Sequence, residues 1–224
     1  MTLSDTTTPT GAVHDRRTVR ALLGALDAAL DPDRRERLAR DTAAVAADPA
    51  ALDTRFASAG RVYGRLPLPD RALPDRAGWA VEDAVRAALL LAVAPDRTAT
   101  ETAARYAQGD AAERRGVLLS LPYLPLGGAA ASLTDDALRS NDTRLIIAAL
   151  GPYARAHLDQ HRWRHAVLKC LFTEIPLSVV AGLHERKDVE LARMAQAFAD
   201  ERRAAGRPVP ADLVLLVPDR GRDR

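Results

Sequence analysis

The chain has one cysteine, Cys170, in 224 residues. A lone thiol excludes an internal disulfide and a multi-thiolate zinc site, and it suits a reducing, cytoplasmic setting. Aromatic residues make up only 4% of the chain, so the core has to be built mainly from Leu, Val and Ala. Net charge is almost absent too: 32 basic and 30 acidic residues leave +2. Nothing in that balance calls for a nucleic-acid or anionic-membrane partner. The longest unbroken apolar run, Ala87 to Ala94, falls far short of the ~20 residues that cross a bilayer. Period-two alternation is missing over any useful length, which argues against a sheet. Also missing are a glycine-rich dinucleotide turn, a phosphate-binding loop and a serine or cysteine elbow.

What remains is a chain that is 47% hydrophobic and 28% charged, the balance of a globular protein. Its apolar residues recur at helical spacing. Val19, Leu22, Leu23, Leu26 and Leu30 line one side of a first helix. Asp31-Pro32 and Asp48-Pro49 then punctuate the chain, because Asp accepts from free first-turn amides and Pro is tolerated at the first helical position. Leu52 and Phe56 share the inner face of a third helix. From Trp79 onward Val81, Val85, Ala88, Leu89 and Ala92, widened by Leu90 and Leu91, predict a central helix buried almost all round.

Three short helices are predicted near 97–109, 111–121 and 128–140, the second opened by the capping-box variant Asp110-Ala-Ala-Glu113. Asn141 and Asp142 cap a helix carrying Ile146, Ile147, Leu150, Ala154 and Leu158, kinked at Gly151-Pro152. Asp159 caps the next. On that helix Trp163, Ala166, Val167, Cys170 and Leu171 form one stripe, and His161, His165 and Lys169 form a second. Pro176 begins a short helix through Leu183, and Asp188 begins a last long one that Gly206 stops.

Short connections between short helices favour antiparallel neighbours. The expected fold is all-α: a compact stack of short antiparallel helices, either an αα-hairpin bundle or a short HEAT-like α-solenoid. The expected organisation is a disordered tail over 1–15, an amino-terminal helical arm over 16–63, a proline-rich crossing segment over 64–77, a helical body over 78–217 and a tail over 218–224.

Few side chains suggest chemistry. His157, His161 and His165 have the spacing with which imidazoles on one helix share a metal. Asp159 starts a new helix between the first two and no carboxylate completes the set, so no metal and no cofactor are expected. Lys169 stands out differently. Only it and Lys187 are lysines among the 32 basic residues, and it interrupts the apolar stretch Ala166 to Phe172. A partly buried ammonium there can act as a base or nucleophile or bind a phosphate or carboxylate; the alternative is a stem lying along the helix with its head in water.

Several uncommon groupings occur in order: Asn141-Asp142-Thr143-Arg144, Gly151-Pro152-Tyr153, His157-Leu158-Asp159, Trp163, and Val167-Leu168-Lys169-Cys170-Leu171-Phe172. Ile175-Pro176-Leu177, Val180 to Leu183, Glu190 to Met194 and Glu201 to Arg207 follow, with Glu113-Arg114-Arg115 upstream. Over residues 78–217 this pattern resembles the EboA family. The resemblance implies an all-helical protein of bacterial and algal gene clusters, encoded beside a UbiA-like prenyltransferase, TIM-barrel proteins and a sugar-phosphate-cyclase-like enzyme. The role it implies is traffic of a secondary-metabolite precursor towards or across the cytoplasmic membrane, with the chain's own chemistry unassigned.

Asn141, Asp142, Arg144, His157, His161 and Lys169 match the family-like stretch and are the candidate ligand- or partner-binding residues; His165 is outside that pattern. The expected function is a small-molecule-binding or adaptor component acting with cluster partners, without a membrane span or nucleic acid. The alternative is an enzyme acting on a polar metabolite, with Lys169 and His157 or His161 as acid and base.

Overall fold

The computed structural model describes residues 16–68 and 78–217. Among these, twelve α-helices follow one another: α1 (Arg16–Ala29), α2 (Pro32–Ala47), α3 (Leu52–Tyr63), α4 (Val81–Leu91), α5 (Pro95–Gln108), α6 (Ala111–Ser120), α7 (Ala131–Arg139), α8 (Thr143–Ala149), α9 (Pro152–His157), α10 (Gln160–Phe172), α11 (Leu183–Arg186) and α12 (Val189–Ala204). The fold is all-α. Extended pairing among the described residues is limited to an antiparallel bridge between Pro67 and Ala80. The tails expected at 1–15 and 218–224, and residues 69–77 of the proline-rich segment, lie outside the described residues.

Aspartates set the helix starts. Asp31, Asp159 and Asp188 each accept from a first-turn amide, from Arg34, Arg162 and Leu191, at 2.8 to 2.9 Å. At α6 the bonds are reciprocal: the Glu113 amide donates to Asp110 at 2.9 Å and the Asp110 amide donates to Glu113 at 2.7 Å. Each such cap satisfies an amide that has no partner within the helix.

α4 is the centre, with every residue from Val81 to Leu90 buried. It is packed by α1, α2, α3, α5 and α6. The core then passes from α6 to α8, from α8 to α7 and from α7 to α9, while α10 packs on α12. No helix among the described residues is long and apolar enough to cross a membrane.

Three features differ from the sequence expectation. The helix opened by Asp142 does not kink at Gly151-Pro152 but ends there. α8 stops at Ala149, Gly151 is extended, and Pro152 takes the first position of α9, where its missing amide costs nothing. The Leu150 carbonyl released by the break accepts from the Ala181 amide at 2.9 Å.

The helix expected from Pro176 to Leu183 is instead a 3-10 turn over Leu177–Val179, and α11 begins only after Gly182. Gly182 has φ 74, and a Cβ there would lie 2.6 Å from Cγ of Arg155. The close approach and the left-handed turn both require glycine.

The third difference is that α4 buries charge as well as hydrocarbon. Glu82, Asp83 and Arg86 are at most 8% exposed. Arg86 donates to Glu82 at 3.1 Å and to the Phe56 carbonyl at 3.2 Å, while Asp83 pairs with Arg115 and accepts from the Ala80 amide. Burial pushes the Asp83 carboxyl above its ordinary range in spite of Arg115 beside it.

Candidate functional site

α7 and α10 meet at the end of α7. Lys169, one residue before Cys170 on α10, donates from Nζ to the carbonyls of Leu138 at 2.8 Å and Ser140 at 2.5 Å. These are carbonyls at the end of a helix, where the backbone dipole is negative and intrahelical partners run out. Lys169 is therefore a cap supplied by a neighbouring helix, half-buried and held at its head. It is not a stem with its head free in water.

Beside this clamp a groove of about 470 Å³ opens between the two helices, lined by Asp135, Arg139, His161, Arg162, His165 and Lys169. Asp135 joins the two walls: Arg139 lies 2.7 Å and Arg162 3.6 Å from its Oδ2. Arg139 also contacts Asp136 at 3.2 Å, and Arg162 contacts Asp159 at 3.3 Å. His161 and His165, one helical turn apart, stand edge to face with ring centroids 4.5 Å apart. The groove thus offers guanidinium and imidazole groups on its walls and an immobilised ammonium within it. Such a set recognises polar, hydrogen-bonding molecules without needing a metal.

The structure brings two of the six sequence candidates, His161 and Lys169, into this groove. Asn141 is exposed and follows the clamped Ser140 directly. Asp142 caps α8 and is gripped by Arg144 through Nε at 3.0 Å and Nη2 at 2.7 Å. Those bonds hold the Asp142 carboxyl below its ordinary range, and the pair is not part of the groove lining.

His157 is on α9, its ring tilted against Tyr153 with centroids 4.5 Å apart, and burial pushes its imidazole below the ordinary value. Because Asp159 starts a new helix, the three-histidine spacing is divided between α9 and α10. Among the described residues no group of three or more His, Cys, Asp or Glu is placed to hold a metal.

Sequence reasoning missed Asp135, Arg139 and Arg162. Asp135 and Arg139 have the four-residue spacing of a helical ion pair, a signal visible in the sequence, but only tertiary packing brings them against α10. It also missed Arg186, whose guanidinium lies 4.9 Å from the Trp163 ring. Arg186 donates to the carbonyls of Ala154 and Leu158, each at 2.8 Å. A second cation from a later helix thereby closes the end of α9, in the same way that Lys169 closes α7.

A family model described as metabolite traffic protein EboA matches residues 73–218. No curated protein and no solved structure matches the chain significantly. The matched span takes in α4 through α12 and every residue of the α7/α10 groove, well over half of the sequence, and on that match the chain belongs to the EboA family of metabolite traffic proteins.

Proposed function

We propose that this chain is a non-catalytic binding or adaptor component of metabolite traffic. The α7/α10 groove holds a small polar metabolite or precursor in the cytoplasm and presents it to proteins of the same gene cluster on its way to export. The observation that carries this reading is the groove itself: His161, His165, Arg139 and Arg162 converge on one concave face, with Lys169 immobilised within it. Asn141 and the Asp142–Arg144 pair stand on the adjoining surface, where a protein partner reading the loaded groove would meet them.

An acid/base reading draws support from the fact that Lys169 and His161 share the groove. It is the weaker reading, because two carbonyls already hold the Lys169 ammonium and His157 stands outside. Binding requires no proton to move.

The test is mass spectrometry of small molecules retained by the protein purified from its native host, alongside a His161→Ala/His165→Ala variant. Both imidazoles are exposed, so the variant keeps its fold. A species held by the wild type and lost from the variant is the expected result. Identical extracts, or no retained species, would refute the reading.

A further inference from the structure

α10 and α12 end in the same backbone turn. The Ile175 amide donates back to the Cys170 carbonyl at 2.9 Å, and the Arg207 amide donates back to the Arg202 carbonyl at 2.8 Å, the long-range bond of a Schellman motif. The residue just before each returning amide has to be left-handed. In α12 that residue is Gly206, φ 65; in α10 it is Glu174, φ 57, the sole non-glycine with positive φ among the described residues. Glycine makes this turn without strain, and any other side chain here collides with the following carbonyl. One chain therefore builds the same turn twice, once with the strain-free residue and once with a strained glutamate.

The strained residue, exposed to solvent, is one of those that line a cavity. About 310 Å³ lies between the ends of α10 and α12 and the segment 208–212, walled by Leu171, Ile175, Val209 and Pro210, with Glu174, Arg202 and Asp212 as its charged groups. Arg202 donates from Nε to the Pro208 carbonyl at 2.8 Å, and its guanidinium lies 5.7 Å from the Phe198 ring centre. Among the described residues no carboxylate is paired with it. Asp212 accepts from the Leu177 amide at 2.7 Å, which holds its carboxylate in place. One guanidinium and two carboxylates thus share a small apolar-walled space without closing on one another. Opposite charges left apart in such a space are complementary to a ligand carrying both.

We propose that this cavity binds a small zwitterion with an apolar body, of the α-amino acid class. The ligand carboxylate is taken by the terminal nitrogens of Arg202 and the ammonium by Glu174 and Asp212. The apolar side chain lies against Ile175, Val209 and Pro210. This site is separate from the α7/α10 groove and does not depend on the role proposed for it.

Calorimetric titration of the full chain tests the assignment with L-leucine, L-phenylalanine and L-tryptophan, and with 3-phenylpropionate and 2-phenylethylamine, which each keep one charge of phenylalanine. At least one amino acid should bind saturably, and the single-charge analogues should bind about tenfold more weakly or worse, the loss of one charge-assisted contact. Glu174→Gly restores the residue the turn prefers. It should raise the melting temperature while weakening amino-acid binding by about tenfold, and it should leave 3-phenylpropionate binding unchanged.

Glu174→Gln, which keeps the backbone strain and removes the charge, should weaken binding without raising the melting temperature. His161→Ala/His165→Ala should have no effect on it, so the two sites fail or stand separately. Absence of saturable binding by all three amino acids at millimolar concentration, equal binding of the single-charge analogues, or unchanged binding in both Glu174 variants would each overturn the proposal.

Discussion

Lys169 reaches from α10 to the Ser140 carbonyl beyond the end of α7, 2.5 Å from Nζ to oxygen, and shares the same ammonium with Leu138 at 2.8 Å. A compact ammonium with rotatable donors fits between two carbonyls; a longer, planar guanidinium does not. That geometry accounts for a lysine in a chain that otherwise relies on arginine. Lys169→Met removes the donor and leaves the carbonyls at the end of α7 without it, and should cost about 1–3 kcal/mol. Lys169→Arg should recover only part of the loss. Urea unfolding of the two variants, compared at equal m-value, measures both effects.

Glu82 and Arg86, one turn apart on α4, depend on glycines of neighbouring helices. A Cβ on Gly60 would lie 2.2 Å from the Glu82 carboxylate, and one on Gly116 would lie 2.6 Å from Cδ of Arg86. Arg86→Met leaves the buried Glu82 with only its longer contact to the exposed Arg65, 3.6 Å away, and should destabilise by as much as about 3–5 kcal/mol. Glu82→Leu combined with Arg86→Met removes both charges and should recover much of that. Gly60→Ala should cost about 1–3 kcal/mol through overpacking, even though alanine is the better helix former. Chemical denaturation of a Glu82/Arg86 double-mutant cycle, and of Gly60→Ala beside it, checks these effects; an Arg86→Met protein as stable as the wild type would show that the pair contributes nothing.

These two pairs mark where sequence reading succeeds and where it stops. Asp-Pro steps, the Asp110/Glu113 box and Gly206 act through local bonds, so helix starts and stops were legible. The burial of α4 was legible from its apolar stripe, but Glu82, Asp83 and Arg86 were not identified as buried. Their partners Gly60, Gly116 and Arg115 are remote in sequence, and a buried charge reads like a solvated one until its partner is placed. The same limit governs the groove. His161 and Lys169 share one helix stripe, whereas His157 enters the candidate set through the family-like stretch, and Asp159 separates it from them. Arg139 and Arg162 needed the α7/α10 contact to become neighbours.

His157 gives the chain a stability term that depends on pH. Burial beside Tyr153 pushes its imidazole below the ordinary value, whereas the unfolded chain protonates it near the reference value of about 6.5. Between those two points the unfolded state binds more protons, so stability rises with pH. The contribution is complete above about 6.5 and is lost as pH falls through the folded pKa. His157→Phe keeps a ring against Tyr153 and removes the titration. Melting temperatures recorded from pH 7.5 to about pH 5 should therefore fall less steeply for the variant than for the wild type; identical slopes would assign the dependence to other groups.

Cys170 lies in the wall of the cavity between α10 and α12, yet it is fully buried, and burial pushes its thiol up to about 12. The thiolate is the reactive form, so at a given neutral or mildly alkaline pH a shift from 9.0 to about 12 lowers the thiolate fraction about a thousandfold. Neighbouring Lys169 opposes the shift but is the smaller effect. A more basic thiolate is also the better nucleophile and offsets part of that loss. A neutral disulfide reagent should therefore label the native protein at least about thirtyfold more slowly than the same protein in guanidinium, where the thiol has its ordinary acidity. Cys170→Ala should lower stability modestly through the small void it creates, since the side chain acts as packing. Rapid native labelling that follows a single pKa near the ordinary thiol value would show that Cys170 meets solvent within the cavity.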